Sequence, residues 1–178
     1  SGASVFPGGL LDAADAEGCA LCSGLDDAQA SARLGLPSGG LAYWFAALRE
    51  YMAAELAQHP RLVVLGDFNI APEDRDVHDP AAWEGSVHVS QPERDALARI
   101  TELGFSDLFR RFDQPAKSWS WWDYRMNAFR RDMGLRIDLM LASKALAERC
   151  TACAIDRSPR AWERPSDHAP VTAVFDIH

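Results

Sequence analysis

The sequence has no long hydrophobic run. No apolar stretch approaches the roughly 20 residues that a membrane-spanning helix needs, so no membrane partner is expected. No basic segment followed by an apolar one opens the chain, so no secretory signal is read there and a cytoplasmic location is expected. The first residue is Ser rather than Met, which reads as a processed chain or a fragment. Positive charge is also in deficit, with 18 Lys and Arg against 26 Asp and Glu and a net charge of −8. This argues against a generic polyanion binder. It leaves room for a local basic face, because affinity for nucleic acid follows where the charge sits. Cysteine is sparse, with two CxxC pairs, Cys19/Cys22 and Cys150/Cys153. Four thiolates could build a tetrahedral zinc site, and each pair could serve redox chemistry. The pairs stand about 130 residues apart, far beyond zinc-ribbon spacing, so ordinary reduced thiols are expected, as suits a reducing compartment.

What the chain does have is apolar material, 48% of 178 residues, enough for one sizeable core. The stretch that organises it is Arg61–Ile70, RLVVLGDFNI. Leu62 to Leu65 form an unbroken apolar run between Pro60 and Gly66, which predicts a strand buried on both faces. Asp67 and Asn69 follow at the strand's carboxyl end, where ligands sit in open α/β sheets. Two residues apart, they share a direction. They could be a turn chosen for its Asp and Asn, or a carboxylate and an amide aimed at a ligand.

Residues 1–40 are rich in Gly, Ala, Ser and Asp and read as a weakly structured leader, with a short helix at Asp26–Leu34. Leu41–Ala57 carries Leu41, Trp44, Phe45, Leu48, Met52 and Leu56 near the 3.6 period, an amphipathic helix with Arg49 and Glu50 outward. Ala71–Glu84 is a long polar loop holding His78. Ser90-Gln91-Pro92-Glu93 is a capping box that starts a helix whose buried face is Leu97, Ile100 and Leu103, and Gly104 stops it. Asp107–Phe112 reads as one more short helix.

Ser118–Met126, SWSWWDYRM, predicts a strand with Trp119 and Trp121 on one face and Trp122 and Tyr124 on the other. From Arg110 to Arg136 there are seven basic residues (Arg110, Arg111, Lys117, Arg125, Arg130, Arg131, Arg136) against three acids. Basic residues interleaved with aromatics suit a phosphate backbone and unstacked bases. Arg136–Ala142 is a second buried strand, with Ser143 capping a helix through Arg149. Asp138 lies inside that strand, and a buried carboxylate is costly unless paired or metal-bound. Its expected partner is in Pro165–Pro170, where Asp167 and His168 are adjacent, just before a closing strand at Val171–Phe175. The pair could be a structural ion pair or an Asp–His unit for acid/base work.

Together, GDFNIAPEDRDVHDP, SWWDYR, GLRIDLMLAS and ERPSDHAPV resemble exonuclease III, an abasic-site endonuclease and 3′→5′ exonuclease of the endonuclease/exonuclease/phosphatase superfamily. The resemblance runs from about Leu41 to Ile177. It implies an α/β fold, the C-terminal half of a four-layer α/β sandwich with a mixed β-sheet and flanking helices over residues 41–178, behind an unrelated leader. It implies Mg²⁺ (or Mn²⁺) as cofactor and double-stranded DNA with abasic sites or 3′ ends as partner. By position in its motifs, Asp67 activates the attacking water, Asn69 binds the scissile phosphate, Asp138 and His168 pair facing that phosphate, and Asp167 lies near the metal. Trp121 and Leu135 line the sugar pocket, and Arg125 lies against the DNA groove. The family's N-terminal half, with its metal-binding Glu, has no counterpart in residues 1–40. Impaired turnover and self-association through an apolar face around Trp44, Leu62 and Val64 are therefore expected. A non-catalytic half-domain that binds DNA or a partner weakly is the other reading.

Overall fold

The computed structural model describes residues 40–176, with side chains from Phe45 onward. The expectations for residues 1–39, including the helix at Asp26–Leu34 and the first CxxC pair, lie outside the described residues, as does the side chain of Trp44.

Helix α1, Gly40–Gln58, forms where the 3.6 period predicted it and buries Phe45, Leu48 and Met52. Arg49 is not an outward residue: its Nε donates to the Arg99 carbonyl at 3.2 Å and fastens α1 to the next long helix, Gln91–Thr101. A helix of only four residues, α2 at Pro80–Trp83, interrupts the polar loop, so the long one is α3. Ser90 and Glu93 close their capping box, Ser90 N donating to Glu93 Oε2 at 3.0 Å. Gly104 ends the segment at φ +100°, a conformation that side-chain-bearing residues rarely adopt.

Strands β1 (Val63–Asp67), β2 (Phe105–Asp107) and β3 (Asp138–Ser143) form a sheet in the order β1-β3-β2. Every pairing in it is antiparallel, as is that of β4 (Cys150–Ile155) with β5 (Val171–Phe175). The expected mixed sheet is therefore absent among the described residues. Alternation along β3 divides the core. Leu139 and Leu141 pack with Leu62 and Val64 beneath α1 and α3, while Ala142 and Met140 face Leu108, Phe109, Cys150 and Cys153. In β1 only Val64 is buried and Val63 and Leu65 are half-buried, so the strand is not enclosed on both faces. Leu62 and Val64, expected on an open face, are covered by this chain's own helices; burying side chains of this size contributes roughly 1.5–3 kcal/mol each. Burial also pushes the Cys153 thiol, beside Cys150, up to about 11, and the two thiols are unbonded to each other.

Other local readings change because tertiary contacts override local pattern. Residues 107–112 supply the end of β2 and then a short 3-10 helix, Phe109–Arg111, so the expected helix is only one turn long. Ser143 stands at the N-cap of α4 (Lys144–Ala147), but its hydroxyl donates to the Pro60 carbonyl at 2.7 Å and accepts from Leu62 N at 3.0 Å. It ties β3 to β1 instead of capping. Ser118–Met126 is not a strand: only Trp121 makes isolated bridges, to Leu135 and to His168. Trp119 and Trp122, predicted on opposite faces, are both buried in one cluster with Ala128 and Ala169, and Tyr124 is exposed. Gly134 lies flat on this cluster, since a Cβ there would come within 2.6 Å of the Trp119 side chain.

Candidate active site

Antiparallel pairing sets the site. Because β1 runs against β3, the last residue of β1 lies beside the first of β3, and Asp67 is the register partner of Asp138. Two carboxylates thus stand side by side at one end of the sheet. The chain then turns at Asn69, held in a left-handed conformation with φ 55°. Its backbone N donates to Asp67 Oδ1 at 2.8 Å and its Nδ2 to Asp67 Oδ2 at 3.1 Å. The strand period stops at Asp67, so Asn69 meets Asp67 by folding back rather than by alternation.

His168 comes from the loop before β5. Its Nδ1 lies 2.9 Å from Asp138 Oδ2 and 3.1 Å from Oδ1. An ionised carboxylate can only accept, so Nδ1 carries the proton. The far nitrogen, Nε2, then faces Asp67 Oδ2 at 3.9 Å. Burial pushes the imidazole pKa down, but the Asp138 hydrogen bond and the charges of Asp138, Asp67 and Asp167 together hold it above its ordinary value. Burial also lifts the Asp67 carboxyl; the Asn69 N–H opposes this and the charge of Asp138 adds to it.

Asp167 accepts from Trp121 Nε1 at 3.0 Å, and its carbonyl accepts from Trp122 N at the same distance. Trp121 is half-buried beside the pair. Leu135, expected at the sugar pocket, has no exposed surface in this structure. It is wholly buried with Ala71, Val77, Val89 and Ile137 under Trp121, and exchanges backbone hydrogen bonds with Trp121 at 2.9 Å, so its place is support. Arg125 is exposed and chelates the Asp123 carboxylate, its Nη2 at 2.6 Å.

The basic stretch divides. Arg111, Lys117, Arg125, Arg130 and Arg131 remain exposed. Arg110 and Arg136 turn inward onto Asp76, which is fully buried, with Arg136 Nε 2.6 Å from Asp76 Oδ1 and Arg136 Nη2 2.7 Å from Asp107 Oδ2. Nothing in the polar loop sequence marked Asp76 as a buried anchor. His78, by contrast, is half-buried with its Nδ1 3.3 Å from the Gly134 carbonyl, away from the carboxylates. His88 was also missed. Its Nδ1 lies 2.7 Å from the Asn69 carbonyl, its ring lies 6.2 Å from that of Trp121, and its φ is 76°. Strained backbone of this kind gathers at functional sites.

The donor chemistry fits a hard divalent cation in kind, being carboxylate oxygen. Among the described residues, however, no three His, Cys, Asp or Glu side chains converge into a metal cage. Such a set suits an ion that keeps several waters and takes one or two carboxylates plus substrate phosphate.

Known proteins share both the motifs and the fold. The chain is 37% identical to exodeoxyribonuclease III of Haemophilus influenzae over 139 residues, covering 74% of this chain and 52% of that protein. It superposes on a 3′ phosphatase from Neisseria bound to product DNA hairpin with a TM-score of 0.76 and 43% identity, covering 81% of this chain and 56% of that one. An AP endonuclease from Archaeoglobus fulgidus gives 0.70 and 39%, over 76% and 53%. The chain spans about half the length of the curated relatives it matches. The sequence profile of the endonuclease/exonuclease/phosphatase family matches residues 8–168, a span that takes in GDFN, SWWDYR, GLRID and the His168 that completes the site. The chain belongs to the endonuclease/exonuclease/phosphatase family.

Proposed function

We propose that this site hydrolyses phosphodiesters in double-stranded DNA, incising at abasic sites and removing nucleotides from 3′ ends, with Mg²⁺ or Mn²⁺ as the assisting ion. The observation that carries the reading is the convergence of Asp67, Asp138 and His168 where β1 and β3 meet. Relatives that are exodeoxyribonucleases and AP endonucleases support the choice of substrate.

Asp67 takes the proton of the attacking water. Its raised pKa makes it a better proton acceptor than an ordinary surface carboxylate. Asn69, fixed by its two bonds to Asp67, offers its amide to the scissile phosphate. Asp138 holds the imidazole of His168 by Nδ1 and favours its charged form, so a cationic edge meets the charge that develops on phosphorus-bound oxygen. Asp167, oriented by the Trp121 indole, is the carboxylate we assign to the ion. When bound, the ion would polarise the phosphate and neutralise developing charge. Trp121 borders the substrate, and exposed Arg125 lies against the DNA groove.

A second reading has its own observation. Among the described residues no three carboxylate, imidazole or thiolate groups are placed to hold a metal ion together, so the same surface could hold DNA without cutting it. Incision of an end-labelled duplex with one abasic site separates the two. The proposed function requires nicking that appears with Mg²⁺ or Mn²⁺ and vanishes with chelator. Retention of the duplex without any nick, at every metal concentration, supports binding alone.

A further inference from the structure

Ser120 is fully buried, yet nothing about its sequence position marks it as more than a spacer between tryptophans. Its hydrogen bonds are unusual in their reach. The Oγ accepts from two successive backbone groups, Ile137 N and Asp138 N, each at 3.0 Å. Its carbonyl accepts from Ala169 N at 2.7 Å, and its own N donates to the Leu135 carbonyl at 2.9 Å. One residue therefore grips Asp138 itself on one side and the residue after His168 on the other. Asp138 and His168 are 30 positions apart, on segments that do not pair along a continuous ladder.

We propose that Ser120 is a positioning residue that sets the distance between Asp138 and His168. The inference rests on the reading of that pair as catalytic only for its effect on turnover, not for its effect on geometry. A main-chain ladder alone could not supply this. β3 begins at Asp138, so the N–H groups of Ile137 and Asp138 lie where regular pairing is only starting, and the Ser120 hydroxyl is the acceptor that both receive. Two donors buried without an acceptor would be costly, and the chain would shift to find partners. A shift there moves the Asp138 carboxylate relative to an imidazole held from the other side of the same serine.

The test compares Ser120→Ala with Ser120→Thr, which keeps the hydroxyl. The primary readout is the downfield ¹⁵N-edited proton signal of His168 Nδ1–H, the signature of its bond to Asp138, and it needs no catalysis. The expected result is loss or broadening of this signal in Ser120→Ala and its return in Ser120→Thr. Turnover of abasic DNA should follow the signal, falling roughly tenfold to a hundredfold in kcat with KM within about twofold, as for a misplaced catalytic group. An intact signal in folded Ser120→Ala would overturn the proposal, whatever happens to melting temperature. If Ser120→Ala does not fold, Ser120→Cys, with its weaker acceptor, replaces it. An attenuated signal then supports the proposal, and an unchanged one overturns it. Loss of the signal with undiminished turnover would support the role of Ser120 while removing the pair from the mechanism.

Discussion

The Asp138 carboxylate and the His168 imidazole meet at 2.9 Å, with the proton on Nδ1 and Nε2 turned to Asp67. Groups so joined act as one unit. Asp138→Asn and His168→Asn are each expected to lower turnover roughly a hundredfold to ten-thousandfold, the usual range for a positioned acid or base. The double variant is expected to be little worse than either single one, because members of one unit are non-additive. Single-turnover rates on a common duplex measure this. Losses that multiply would separate the two residues functionally.

The same pair links stability to pH. The His168 pKa lies above its ordinary 6.5 in the folded protein, so the proton binds more tightly folded than unfolded. The resulting stabilisation is fully present below about pH 6.5 and is lost as pH rises through the raised value. Urea unfolding in metal-free buffer is expected to show stability falling over that window in the parent. The fall should be absent in His168→Gln. An equal fall in both proteins would assign it elsewhere.

Trp121 borders the site while Leu135 is buried beneath it, so the two substitutions should part company. Trp121→Ala is expected to reduce the preference for an abasic duplex over an intact one. Leu135→Ala is expected to cost roughly 2–5 kcal/mol of stability, as truncation of a buried Leu does. Competition between the two duplexes, read beside denaturation curves, checks both. Unchanged preference in Trp121→Ala would make that indole a core residue only.

Asp76, fully buried, joins buried Arg136 and half-buried Arg110 in one ion network. Removing Asp76 leaves buried Arg136 with Asp107 as its remaining carboxylate, and breaking a buried pair costs about 3–5 kcal/mol. Asp76→Asn is expected to lose that much in urea denaturation, against a surface control such as Asp95→Asn. A loss below about 1 kcal/mol would mean that water or rearrangement satisfies the arginines.

How far the sequence could be read depended on the range of each interaction. α1 and α3 were legible because their signals are local: a 3.6 period in one, Ser90 and Glu93 in the other. The encounter of Asp138 with His168 was legible because a carboxylate in an apolar strand needs a partner. The tryptophan stretch was misread because alternation holds only along a paired strand, and residues 118–126 pair at Trp121 alone. The anchors Asp76, Ser120 and His88 left no local signal. Each is fixed by contacts made across tens of residues, to Arg136, Asp138 and Asn69 respectively. The inward turn of Arg110 and Arg136 is the same case, since charge counting cannot tell a guanidinium facing DNA from one facing a buried carboxylate.

Hydrolysis at the junction of β1 and β3 is the central claim, and Asp67 is its most exposed point. The decisive measurement is metal-dependent incision of an abasic-site duplex by the parent and by Asp67→Asn, at protein concentrations that saturate the DNA in both. Asp67→Asn is expected to bind the duplex like the parent and to abolish incision. Incision by Asp67→Asn at the parent rate would contradict the account.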